Sequence, residues 1–287
     1  MTKIGLVTDS SSDIPSGIAE RYGIEIVPMY IGFENSLRRD LIEITPEEVY
    51  AALGEGKKVT TSAPSAGDFR EAFNRLLEKQ DIDIIYCITL SSKLSGAYNA
   101  ANIAKNSFPS DVIKVIDSRT STMCLGLIVL EVAKAIEAGY QAAEIGKRMQ
   151  ELVEKSKFIA TLESFEYVFK GGRTVFFSKF IGKVIRFLPI LDIGKNGKVR
   201  LKKFVKNKEN ALNEIYRQSV AAAKMNSSNR IGIFYGLDIT PAKELERLIS
   251  QNKEIKVEEI IMSKITTVIS AHTGPGIWGV AISPKLI

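Results

Sequence analysis

The chain has 287 residues, 45% hydrophobic and 25% charged, with a net charge of +6, which suits a soluble globular protein of one large or two ordinary domains. No run approaches the ~20 apolar residues needed to cross a bilayer; the most apolar stretch, residues 123–132, is already broken by Glu131. The start, MTKIGLVTDSSSD, has no charged-then-apolar export signal, and Cys87 and Cys124 show neither metal-type nor C-x-x-C spacing, so a reduced cytoplasmic protein without structural zinc is expected.

Short apolar runs alternate with amphipathic stretches along the chain. Residues 3–8 and 25–31 read as strands, followed by 83–90 and 112–116, runs of the kind buried in parallel sheets. Between them, residues 45–53 start with Thr-Pro-Glu-Glu, a cap followed by proline and first-turn acids, which predicts a helix. Residues 65–78, 95–106 and 122–138 carry the same helical pattern. This alternation argues for an α/β domain over residues 1–160.

The second half, residues 161–287, repeats the logic as a second α/β domain. Residues 158–162 read as a strand, and 164–169 as a short helix ended by Gly171-Gly172. Strands over 188–193 and 198–205 flank Gly194-Lys195-Asn196-Gly197, a hairpin-type turn. A helix over 207–225, a strand over 230–235, a helix over 241–250 and strands over 256–261 and 278–283 complete the pattern.

Charge is unevenly spread. Residues 155–208 hold fourteen Lys/Arg against Glu163, Glu166 and Asp192, a local net of +11 that leaves −5 for the rest. An anionic ligand or an acidic partner fits such a segment, as does a plain solvated lysine-rich surface. No zinc-finger spacing or RNA-binding aromatic motif accompanies the charges, so nucleic acid is not expected.

Four stretches carry candidate chemistry. Asp9-Ser10-Ser11-Ser12-Asp13 follows the first strand, the usual place for a ligand loop in an open α/β sheet; the plainer reading is an Asx/Ser turn. Thr60-Thr61-Ser62 and Ser91-Ser92-Lys93-Leu94-Ser95 put hydroxyls just before helices, where free N–H groups favour an anion. Residues 274–279, GPGIWG, match a dinucleotide pattern letter by letter. They precede a strand, however, where that motif needs a strand before it and a helix after. His272, beside those glycines, is the sole histidine. A serine-type lipid hydrolase using Ser95 and His272 stays open on residue types alone, although no G-x-S-x-G elbow is present.

Seven motifs in order, TDSSSD, TTSAPS, LSSKLSGAYNAA, VIDSRTSTMCLG, FEYVFKGGR, FLPIL and HTGPGIWGVA, span residues 8 to 281. Together they resemble the DegV family of bacterial fatty-acid-binding proteins. Ala63, Ala97 and Cys124 depart from the family's usual glutamine, threonine and glycine, and Lys206 stands where a head-group arginine is expected.

The resemblance implies two α/β domains with a lipid-binding tunnel between or adjoining them. It further implies a carrier with no catalytic residue, metal or cofactor of its own. Such a carrier binds a long-chain fatty acid and presents it to a separate ATP-dependent fatty-acid kinase subunit, for acyl-phosphate formation in phospholipid synthesis. Carried over by motif, Thr61, Ser95 and His272 match head-group residues, Lys206 takes the basic position, and Ser62 and Ser92 are supporting donors. Phe165, Phe169, Phe176, Phe177, Phe180, Ile181, Ile185 and Phe187 are tunnel candidates. Lys170, Arg173, Lys179, Lys183 and Arg186 are expected to dock the kinase or to make transient membrane contact.

Overall fold

The computed structural model describes residues 2–33, 36–80, 82–164, 167 and 187–286. Strand β1 (Ile4–Asp9) runs into a 3-10 turn at Ser10–Ser12, and helix α1 (Ser16–Arg21) leads to β2 (Ile24–Val27). The extended run expected over residues 25–31 is two strands. Pro28, which has no N–H to give to a ladder, separates β2 from β3 (Tyr30–Phe33). Next come β4 (Ser36–Arg39), α2 (Pro46–Gly54) and β5 (Thr60–Ser62). The cap read at Thr45 is a full capping box: its hydroxyl accepts the Glu48 N–H, and the Glu48 carboxylate accepts the Thr45 N–H at 2.8 Å.

The chain continues through α3 (Ala66–Gln80), β6 (Ile84–Thr89), α4 (Ala97–Lys105), β7 (Ile113–Asp117), α5 (Thr122–Glu137) and α6 (Ala142–Lys155). Strands β8 (Lys157–Thr161), β9 (Leu188–Ile193) and β10 (Val199–Val205) follow. The remainder is α7 (Lys208–Ala223), β11 (Asn229–Tyr235), α8 (Thr240–Ser250), β12 (Val257–Lys264), α9 (Thr267–Thr273) and β13 (Trp278–Pro284). Of the sequence expectations, the helix over 164–169 with its Gly171-Gly172 end lies largely outside the described residues. So do Phe165, Phe169, Phe176, Phe177, Phe180, Ile181 and Ile185, and Lys170, Arg173, Lys179, Lys183 and Arg186.

The described strands form three sheets, and the fold is α/β. One is parallel, in the order β2-β1-β6-β7, and one is mixed, in the order β10-β9-β8-β13-β11-β12. In the mixed sheet β11 and β12 are parallel and the other pairs antiparallel. The third is a small antiparallel sheet, β4-β3-β5, with Thr61 opposite Ile31 and Ile31 opposite Arg38.

Helix α5 joins the two large sheets, packing on β11 and β13 on one side and on β1 and β6 on the other. Residues Thr122 to Ala133 are buried throughout, as expected of a helix that is apolar on every face. Glu131, the charge inside that apolar stretch, pairs with buried Arg230 and accepts the Leu286 N–H at 2.8 Å. A buried carboxylate without such partners would be strongly destabilising. Gly126 lets the acid-rich loop lie against α5, since a Cβ there would meet Ser12 O at 2.5 Å.

Candidate functional site

Between the parallel and mixed sheets lies a mainly apolar cavity of about 170 Å³. The alternation of β8 turns Phe158 and Ala160 towards it, with Leu162 just beyond the strand. Leu191 and Ile193 of β9, Val199 of β10, and Val268 and Ile269 of α9 extend the apolar lining. Polar groups come from three places. β5 supplies Thr61 and Ser62, the β6–α4 loop supplies Ser95, and the start of α5 supplies Ser121 and Thr122. His272, in the last turn of α9, joins them, and its Nε2 lies 2.7 Å from Thr61 Oγ1.

That contact joins residues 211 positions apart. It depends on two supports: β3 holds β5 in register, and α9 packs on β3 and β5. No charged side chain is among the described lining residues. The cavity therefore offers apolar surface with hydroxyl and imidazole hydrogen-bonding groups, a combination suited to one polar head on an apolar body.

The sequence-predicted residues divide. Thr61, Ser62, Ser95 and His272 line one cavity. Ser95 Oγ accepts the Ala97 N–H at 3.3 Å, and Ser62 Oγ donates to Ala63 O at 3.3 Å. Ser92 lies outside the lining, its N–H bound to Asp117 Oδ1 at 3.2 Å. Lys206 is exposed in the bend after β10, away from the lining. Phe187 is exposed at 47% and is not a lining residue. Of the apolar wall of β8, β9 and α9 the sequence motifs mark only Leu191, in FLPIL, although the alternation Phe158-Ile159-Ala160-Thr161-Leu162 marks one strand face.

Behind the cavity the acid-rich loop takes the plainer of its two roles. Asp9 accepts the Leu90 N–H at 2.8 Å and so fixes the start of the loop that carries Ser95. Asp13 accepts the Thr266 N–H at 2.9 Å. Asp40 accepts the Thr267 N–H at 3.0 Å together with the Thr267 hydroxyl. None of the three carboxyls lines the cavity, and all are buried. Burial raises the pKa of each, Asp13 well above the usual carboxylate range, because desolvation outweighs the hydrogen bonds that favour the ion. Among the described residues no three His, Cys, Asp or Glu side chains form a metal-holding group, and no helix is long and apolar enough to cross a membrane.

Comparisons with known proteins show the family and the overall fold. A family model described as an uncharacterised protein of the DegV family matches residues 3–285. A DegV domain-containing protein of Caldanaerobacter subterraneus subsp. tengcongensis is 31% identical over 285 residues, covering 99% of this chain and all of the relative. A protein of Thermotoga maritima named fatty acid-binding protein is 30% identical over 287 residues, covering 98% of this chain and 97% of its own. Among solved structures, a fatty-acid-binding DegV family protein from Thermus thermophilus superposes with a TM-score of 0.93 at 28% identity, over 99% of this chain and 100% of that one.

Proposed function

Because the chain belongs to the DegV family, we propose that it binds one long-chain fatty acid, with the carboxylate at Thr61 and His272 and the tail along the β8–β9 wall. The observation that carries this reading is a mainly apolar cavity whose lining includes the Thr61–His272 contact and serine and threonine hydroxyls but no Asp, Glu, Lys or Arg. Each buried CH₂ is worth about 0.8 kcal/mol, so a sixteen-carbon tail supplies on the order of 11 kcal/mol before the cost of immobilisation. The tail thus supplies most of the affinity and the head group sets orientation. In this reading Ser62 and Ser95, which line the same cavity, support the carboxylate. Ser92 and Lys206, outside the lining, act at most on the surrounding loop and field.

The same reading makes the protein a carrier. The sequence has no G-x-x-x-x-G-K-[ST] nucleotide loop, and the acyl carboxylate is presented to a separate ATP-dependent kinase subunit. There a carboxylate oxygen attacks the γ-phosphorus of ATP, ADP leaves, and acyl-phosphate forms. In this reading Lys170, Arg173, Lys179, Lys183 and Arg186 dock that subunit.

Native mass spectrometry of the purified protein is expected to show one fatty acid per chain. Turnover to acyl-phosphate should require both ATP and the kinase subunit. Protein that neither retains nor takes up fatty acid would overturn the binding reading, and unaided ester hydrolysis would overturn the carrier reading. Exchanging Lys179 and Lys183 for Glu should lower acyl-phosphate formation with lipid binding unchanged; full turnover would remove the docking assignment.

A further inference from the structure

We propose that Asp40 is a positioning residue for the head-group pair: it sets where His272 stands against Thr61 without touching the cavity, an assignment that rests on the head-group reading above. Helix α9 has no cap of its own, since the Thr266 side chain makes no capping bond. Its first free N–H groups are taken instead by carboxylates from remote segments. Asp13 receives Thr266 N–H across 253 positions, and Asp40 receives Thr267 N–H across 227. A local cap would stabilise the helix equally well. A remote one also fixes how the helix lies in the fold.

Asp40 is the informative member because of where it is mounted. It directly follows β4, and its own N–H donates to Met29 O at 2.8 Å, just before β3. Its second carboxylate oxygen accepts Ser10 Oγ at 2.6 Å, and Ser10 Oγ in turn accepts the Met29 N–H at 3.0 Å. Thr61 belongs to the same small sheet, through β5 on the other side of β3. One three-stranded sheet therefore holds both halves of the contact. It carries Thr61 directly, and through Asp40 it holds the helix whose last turn bears His272. Seven helical residues span only about 10 Å, so a tilt at Thr267 is transmitted to His272.

The test uses His272 as its own probe, because the chain has no other histidine. In ligand-free protein, the imidazole NMR signals of Asp40→Ala are expected to move towards those of Thr61→Val. Asp40→Asn, whose amide oxygen still accepts the Thr267 N–H, should restore most of the wild-type signal. For fatty-acid affinity, Asp40→Ala is expected to cost about tenfold in the wild type but less than about twofold on top of His272→Ala, the non-additivity expected of residues acting through one contact. Unmoved imidazole signals, or a full additional loss in the His272→Ala background, would overturn the assignment. Should Asp40→Ala fail to fold, Thr267→Val removes only the hydroxyl bond to Asp40, and it must shift the imidazole in the same direction or the assignment falls. If His272→Ala leaves affinity intact, the head-group reading fails by itself, and the ligand-free imidazole comparison decides the positioning role alone.

Discussion

The N-terminal end of α9 meets two buried carboxylates, whereas its C-terminal end meets a neutral hydroxyl. The first pairing suits the helix, because its free N–H groups need acceptors. The second suits an anionic ligand, because no carboxylate faces the described cavity lining to repel it. At the far end Gly274, at φ +70°, closes the helix with its N–H on Ser270 O at 2.9 Å and packs against Tyr167. A side chain there would be strained and would clash with the Tyr167 ring. The acids are thus kept behind the helix, where they fix it, and no carboxylate is among the described lining residues.

This division implies that the two ends fail differently. Thr61→Val keeps the shape at the cavity end and removes the 2.7 Å contact with His272. Calorimetric titration with a long-chain fatty acid is expected to show a loss of about tenfold, or ~1.4 kcal/mol. Stability should change by less than about 0.5 kcal/mol. Equal losses in both would mean that the contact is structural. Midway along the helix, buried Ser270 donates to Tyr50 Oη at 2.8 Å. Burial is also the main reason why the Tyr50 hydroxyl is pushed up to about 12. Ser270→Ala should therefore cost about 1 kcal/mol in urea unfolding, with fatty-acid affinity unchanged. A matching loss of affinity would place the middle of α9 with its cavity end.

The elements on either side of α9 are legible in sequence, and α9 itself is not. The capping box at Thr45 and the Gly194–Gly197 turn of the β9–β10 hairpin are local signals, readable from neighbouring residues. Helix α9 has only seven residues and takes its capping acids from more than two hundred positions away, so no local window reveals it. The short strands β4 and β5 escape a sequence reading for a related reason, because they are defined by pairing with β3. Thr61, Ser95 and His272 stand out by family motif and share one cavity. Lys206 matches its motif only by approximate position, and the bend after β10 carries it outward. Asp13 and Asp40 differ again. TDSSSD marks Asp13, but nothing local to Asp40 ties it to a helix near the other end of the chain.

Asp13 allows the finest test of the acid end. Its backbone lies at φ +52°, a left-handed conformation that asparagine adopts readily. Its carboxyl is raised well above the ordinary 3.8, chiefly by desolvation, against the pull of the Thr266 N–H. A carboxyl raised on folding binds its proton more tightly in the native state. Its contribution is therefore fully present below the unfolded value and is lost as pH rises through the native one. The amide introduced by Asp13→Asn stays neutral throughout, and its oxygen can still accept the Thr266 N–H. This variant should accordingly gain on the wild type as pH rises from about 4.5 to about 8 in paired thermal melts. The opposite trend, with the wild type gaining as pH rises, would mean that Asp13 serves as a stabilised anion. In that case the acid end of α9 is held by charge, and the helix dipole outweighs the cost of burying the carboxylate.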